Sequence, residues 1–212
     1  MSRFPDPRTA RGDVVAIGDD LSVETLRDAY RHGIFPWPHD NMPLPWFSPR
    51  RRTVIVFDEL HVGRSLRKAH KSADVSYSID RDFRSVIRAC AEVPREDQGT
   101  WIEDEIIEAY TRLHDAGDAH SIEVWREGKL VGGLYGVDSG GVFTGESMFR
   151  IEPDMSKLAL LYLIDHLRAR GATWLDCQVM TPHMKAIGAR EIARSKFLDM
   201  LAAAQQGGLR LF

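Results

Sequence analysis

The sequence is short of the features that announce the commoner function classes. Its 212 residues hold only two cysteines, Cys90 and Cys177, and neither stands in a C-x-x-C pair, so no disulfide framework is expected. No apolar run approaches the roughly 18 residues of a membrane-spanning helix, and the opening MSRFPDPRTARGD lacks an apolar signal core. A G-x-x-x-x-G-K-[ST] loop is absent, and Gly132-Gly133-Leu134-Tyr135-Gly136 falls inside a predicted strand instead of opening a helix. Gly145-Glu146-Ser147-Met148-Phe149 lacks the second glycine of a nucleophile elbow. Eight histidines never pair at i, i+4; His114 and His120 read as core or surface residues, and no metal or other cofactor is expected. Repeats and low-complexity tracts are missing too. The expectation is a reduced, soluble, cytoplasmic chain with no membrane partner.

Charge is unevenly spread. Residues 50–71 carry Arg50, Arg51, Arg52, Arg64, Arg67, Lys68 and Lys71 against Asp58 and Glu59, a local +5, whereas the whole chain is −3. Such a run is either a solvated face or a track for phosphates, with the acidic remainder discouraging indiscriminate polyanion binding.

Residues 1–50 form a predicted small N-terminal domain and 51–212 the main one. The first part holds seven of the ten prolines and one predicted helix, capped by Ser22 and stopped at Gly33. Ile34–Arg50 mixes prolines with Phe35, Trp37, Trp46 and Phe47, which predicts an ordered aromatic loop. Beyond residue 50, strands are expected at Thr53–Phe57, Val75–Ile79, Ser121–Arg126, Leu130–Val137, Val142–Gly145 and Thr173–Val179. Helices are expected at Arg64–Lys71, from an Asp80 cap through Ala91, over 102–115, around Leu158–Leu167, and over Ile192–Gln206. The core order is β-β-β-α-β-α. This predicts an α+β fold with an acetyltransferase-like (GCN5-related) mixed sheet and helices, plus a small N-terminal α+β lobe, by analogy of element order.

The strand Trp174-Leu175-Asp176-Cys177-Gln178 carries an acid and an amide in an apolar setting. Period-2 alternation predicts Asp176 and Gln178 on one face and Leu175 and Cys177 on the other. Buried polar groups need partners, so the pair is either a structural network or part of a site. Glu146, near the end of the third strand, raises the same question, and all three are expected to converge on one cleft.

Several blocks then occur in a specific order: YRHGIFPW (Tyr30–Trp37), Trp46-Phe47-Ser48-Pro49, GTWI (Gly99–Ile102), AHSIEVW (Ala119–Trp125), LVGGLYGV (Leu130–Val137), GESMF (Gly145–Phe149), Ser156-Lys157 and Asp176-Cys177-Gln178. The chain from about residue 11 to its last helix resembles the leucyl/phenylalanyl-tRNA–protein transferases. The resemblance implies transfer of Leu, Phe or Met from leucyl-, phenylalanyl- or methionyl-tRNA to the N-terminal Arg or Lys of acceptor proteins, marking them for degradation. It implies catalytic roles for Asp176, Gln178 and Glu146, with Tyr30, Trp37 and Trp101 holding the terminal adenosine. It also implies a side-chain pocket of Leu134, Phe143, Leu160, Leu163 and Leu175. The cations Arg50, Arg51, Arg52, Arg64, Arg67, Lys68 and Lys71 become candidates for tRNA-backbone contacts, and a monomer is expected. Asp19, Phe47, Arg150 and Met155 depart from the residues usual in that family.

Gln178 cannot be a general base, because an amide carbonyl is hardly basic, but it can accept a hydrogen bond from an attacking amine. Asp176 is expected chiefly to orient Gln178, so that Asp176→Asn retains substantial activity. Either Glu146 or Asp176 is available to meet the acceptor's cation. An acetyl-CoA-dependent N-acetyltransferase is disfavoured, since residues 149–157 contain no glycine with which to cradle a pyrophosphate. A non-catalytic tRNA-binding protein would not need the Asp176/Gln178/Glu146 cluster.

Overall fold

The computed structural model describes residues 2–18, 20–39, 43–72, 74–93 and 101–212. Asp19, and Gly99 and Thr100 of the GTWI block, lie outside the described residues. The N-terminal part consists of β1 (Val14–Ile17), α1 (Val23–Arg31), β2 (Phe35–Pro36) and β3 (Pro45–Phe47). Helix α1 starts as expected, with the Ser22 hydroxyl accepting the Thr25 N–H at 3.3 Å, and buries Leu26, Ala29 and Tyr30.

The expected aromatic loop is in part a small sheet. β3 lies between β1 and β2, all antiparallel. Proline forbids a long central strand, but Pro45 opens β3 and Pro36 closes a two-residue edge strand, where a missing N–H costs little.

The remaining elements are β4 (Arg51–Val56), α2 (Arg64–His70), β5 (Ser76–Ile79), α3 (Phe83–Glu92), α4 (Asp104–Asp115), β6 (Ala119–Arg126), β7 (Lys129–Asp138), β8 (Phe143–Arg150), α5 (Met155–Ala169), β9 (Trp174–Gln178), α6 (Pro182–Ala186), β10 (Arg190–Ala193) and α7 (Arg194–Gly207). Seven strands form one mixed sheet in the order β10-β4-β9-β8-β7-β6-β5. Every neighbouring pair is antiparallel except β8 and β9, which α5 connects as a crossover. The α+β class and the mixed sheet match the expectation.

Three boundaries differ. Helix α3 is capped by Asp82, not Asp80; Asp80 has a left-handed backbone (φ 56°) and binds His120 Nδ1 at 2.7 Å. Strand β8 continues to Arg150, because pairing with β7 carries past the polar residues that seemed to end it. Ile192 and Ala193 belong to β10, not to the last helix, since pairing with Arg52 and Arg51 of β4 outweighs their helical spacing. The Glu127-Gly128 hairpin has positive φ at both residues (49° and 76°), the type I′ geometry that matches strand twist.

Two features of the sheet position a site. β8 and β9 pair at a single register, Thr144 with Asp176, and beyond it β8 pairs only with β7. The sheet therefore splits at the C-terminal ends of two parallel strands, next to the start of α5. Helix α5 seals one face with Leu158, Leu160, Leu163 and Ile164, packed against Ile122, Leu134 and Leu175. On the other face α3 and α4 bury Val86, Ile87, Ile106 and Tyr110 together with Tyr30, Ile34 and Phe35 of the N-terminal part.

β7 and β8 approach closely at Gly136, where an added Cβ would lie 2.6 Å from the Phe143 ring and closer still to the Thr144 carbonyl. Gly136→Ala is expected to lower stability by about 1–3 kcal/mol. Urea denaturation checks this as a lower midpoint at unchanged slope.

Candidate active site

Arg52 begins inside the basic run but does not face solvent. Strand alternation places it beside Val54 on the face covered by α7, and it is only 1% exposed. Its guanidinium makes a two-pronged ion pair with Asp176 (Nε–Oδ1 2.8 Å, Nη2–Oδ2 2.6 Å) and donates to the Gly33 carbonyl at 3.2 Å. The rings of Phe35 and Phe197 lie 4.7 and 4.4 Å from it. The expectation that Arg52 contacts tRNA phosphates is therefore corrected: it is enclosed and already paired. Arg50, Arg51, Arg64, Arg67, Lys68 and Lys71 are exposed, the last four in or beside α2.

The expected alternation along β9 also fails at one residue. Between the pairs Thr53–Gln178 and Val54–Asp176 the strand carries one extra residue, Cys177, and Gln178 adopts φ 62°. A bulge with a left-handed residue turns a side chain over. Gln178 thus joins Leu175 and Cys177 on the wall of a cavity, while Asp176 stays behind it, 0% exposed. Asp176 Oδ1 accepts the Gln178 backbone N–H at 2.9 Å, which holds that turn in place.

The cavity, about 930 Å³, occupies the split between β8 and β9 and draws walls from both sheet faces. Leu134, Phe143, Leu160, Leu163 and Leu175 form an apolar part, so all five expected pocket residues come together. Trp37 and Trp101 line it with Phe35, and Trp37 stacks with His39 at 5.7 Å. Tyr30 does not line it. Its ring is packed between α1 and α4, 2% exposed, and its hydroxyl bonds that of Tyr110. The expectation that Tyr30 helps hold the terminal adenosine is corrected on that ground: its ring does not reach the cavity that Trp37 and Trp101 line. Of the departures, Arg150 lies on the cavity wall, Phe47 packs on Trp37 at 5.4 Å, and Met155 is buried where a Cβ on Gly132 would collide with it.

Glu146 and Gln178 meet across the split, the Gln178 amide N–H donating to Glu146 Oε1. Glu146 lines the cavity. Burial pushes its carboxyl up to about 7; the Asp176 charge pushes the same way, while hydrogen bonds from Tyr30 and Gln178 and the Arg52 charge oppose it. Of the two acids expected to be available to the acceptor's cation, only Glu146 faces the cavity. Burial raises the Cys177 thiol, which keeps it protonated and unreactive. At the other end burial and the nearby Lys157 and Arg150 charges lower the His183 pKa, against the Asp154 charge. Among the described residues no group of His, Cys, Asp and Glu is placed to hold a metal ion.

Comparison with known proteins then decides the family. A model of the leucyl/phenylalanyl-tRNA protein transferases matches residues 54–202, and one of the N-terminal domain of those transferases matches residues 19–50. The chain belongs to the leucyl/phenylalanyl-tRNA protein transferase family. Among its relatives, the leucyl/phenylalanyl-tRNA–protein transferase of Chromohalobacter salexigens is 52% identical, over 89% of this chain and 73% of that protein. The one from Thiobacillus denitrificans is 51% identical, over 95% and 90% respectively. That of Myxococcus xanthus is 48% identical, over 96% and 88%. A solved ribosomal-protein-alanine N-acetyltransferase from Brucella melitensis biovar Abortus is 16% identical, over 53% of this chain and 84% of that one, with a TM-score of 0.37, a likeness too slight to carry an argument.

Sequence reasoning missed the Arg52–Asp176 pair and the Tyr110 hydroxyl. The first was partly legible, because Arg52 alternates with the apolar Val54 and Val56. Asp176→Asn keeps the shape but strands a buried guanidinium, so the expected retention of activity is revised. A loss of about 3–5 kcal/mol in stability is expected, measured by denaturant unfolding. Glu146 has a second consequence. Its folded value lies above the ordinary 4.5, so its contribution to stability is full below pH 4.5 and is lost as pH rises through about 7. Glu146→Gln is expected to flatten the dependence of melting temperature on pH across that window.

Proposed function

We propose that this transferase moves leucine or phenylalanine from its tRNA ester to the free α-amine of an acceptor protein. The observation that carries the reading is one cavity joining an apolar part, two tryptophans and the Glu146–Gln178 pair. The five apolar residues suit the side chain of Leu, Phe or Met and reject charged ones by desolvation. They would separate Leu from Met weakly, one methylene-sized change being worth about 1–3 kcal/mol. Trp37 and Trp101 suit the terminal adenine, at roughly 1–3 kcal/mol per stacked base.

The ester is already activated, so alignment is the main task, and positioning alone supplies effective molarities on the order of 10⁵ M or more. Because Gln178 donates its amide N–H to Glu146, its carbonyl oxygen is left to accept from the incoming amine. An α-amine has an ordinary pKa of about 7.7–8.0, close to that of Glu146, so the carboxylate is matched to take its proton near neutral pH. The N–C bond forms, the ester C–O bond breaks, and the proton passes to the departing ribose oxygen. Asp176 acts from behind the wall, as a positioning residue for Gln178.

The finer substrate reading is also proposed. Acceptors begin with Arg or Lys, whose side chain suits the Glu146 carboxylate on the cavity wall, and the product is marked for degradation. The exposed Arg50, Arg51, Arg64, Arg67, Lys68 and Lys71 supply phosphate contacts that do not read sequence. The division into domains 1–50 and 51–212, a monomeric state and a cytoplasmic location belong to the same proposal. Among the described residues no helix is long and apolar enough to cross a membrane.

The test incubates the protein with leucyl-tRNA and peptides beginning Arg, Lys or Ala. Leucine is expected on the Arg and Lys peptides and not on the Ala peptide. Acetylation from acetyl-CoA with no leucyl transfer would replace this reading with the N-acetyltransferase one.

A further inference from the structure

Two buried phenols stand behind Glu146, on the side away from the cavity. Tyr30 comes from α1 and Tyr110 from α4, with 2% and 0% of their surfaces exposed. Their rings meet edge-on at 6.3 Å, and Tyr135 fixes the Tyr110 ring edge-on at 5.7 Å. The hydroxyls bond each other, Tyr110 Oη donates to Glu146 Oε2 at 3.4 Å, and the Tyr30 hydroxyl also bonds the Glu146 carboxyl. Burial raises both phenols well above their ordinary range, so each keeps its proton and can only donate to a charged neighbour.

Packing alone does not account for these hydroxyls. Phenylalanine would fill the same space without the cost of burying a polar atom. Their effect falls on Glu146, whose oxygens are thereby supplied from two sides: Gln178 on Oε1 and the tyrosines on Oε2. Hydrogen bonds donated to a carboxylate favour its ionised form, the form that accepts a proton. The charged groups near Glu146 are Asp176 on β9, which opposes ionisation, and Arg52 on β4, which favours it. Asp176 and Arg52 are committed to each other, which leaves the tyrosine hydroxyls and the Gln178 amide as its neutral donors.

We propose that the Tyr30–Tyr110 hydroxyl pair keeps Glu146 able to accept the amine's proton during aminoacyl transfer, so that both tyrosines are positioning residues and α1 forms part of the reaction apparatus. The proposal rests on the transfer reading above. It also gives Tyr30 a role beside the cavity in place of one inside it.

The test measures transfer from leucyl-tRNA to an Arg peptide by the full chain, Tyr110→Phe, Tyr30→Phe and Glu146→Gln, from about pH 5.5 to 9. The native rate is expected to carry two acid limbs, one from the acceptor amine and one from Glu146, and only the second depends on the enzyme. In Tyr110→Phe that limb moves up by about one pH unit, so transfer near pH 6.5 falls roughly five- to tenfold and recovers to within about twofold by pH 9. KM for leucyl-tRNA changes by less than about twofold, since neither hydroxyl lines the cavity. Tyr30→Phe, which removes the other hydroxyl that bonds Glu146, shifts the limb in the same direction by at least as much, and Glu146→Gln removes it. Melting curves accompany each variant, and misfolding of one tyrosine variant leaves the other to decide. A loss uniform across pH, or an unmoved limb, overturns the proposal. A native chain that transfers nothing at any pH overturns the transfer reading itself, and this proposal with it.

Discussion

A guanidinium and a carboxylate, both sealed from water, join the parts of this chain that make the site. Arg52 lies on β4, Asp176 on β9, the Gly33 carbonyl at the end of α1, and Phe197 on α7 beside the guanidinium. Removing either charge leaves the other without a partner in a medium that solvates it poorly. The pair need not add net stability over an apolar substitute of the same shape. What it ties together is register: β4, β9, α1 and α7 all meet at the Arg52 guanidinium.

That register reaches the chemistry through one backbone hydrogen bond. Asp176, held by Arg52, accepts the Gln178 N–H and stabilises the left-handed residue that turns Gln178 through the sheet. The single pairing of β8 with β9 then lets the strands part, and Glu146 meets Gln178 across the gap. A carboxyl raised to about 7, an amide oriented by it and an apolar recess behind them are consequences of a split sheet and a bulge, not of any unusual residue. The N-terminal part adds the aromatic wall through Phe35 and Trp37, and a buried hydroxyl through Tyr30.

Much of the fold was legible in local pattern. Ser22 starts α1, and Glu127-Gly128 turns the β6–β7 hairpin. The spacing of Leu158, Leu161, Ile164 and Leu167 marks α5. Each of these is decided within a few residues, by a cap, a turn conformation or a periodicity. The errors arose where a partner distant in sequence decided. Ile192 and Ala193 have helical spacing, yet β4 captures them; Phe35 and Trp46 sit among prolines, yet pair as short strands.

Residue chemistry by itself marked Asp176, Gln178 and Glu146 as costly to bury and in need of partners, whereas the five apolar residues of the recess were named only through the resemblance to the transferase family. It could not say that Arg52 leaves the basic run to meet Asp176, because a run of cations reads as solvated until something 124 residues away claims one of them. Nor could it place Tyr30 behind the cavity wall, or turn Gln178 against the alternation of its strand. Identity of the polar groups is a local property; which of them faces the cavity, and which is locked behind it, depends on strand register and a bulge, and only the folded sheet supplies those.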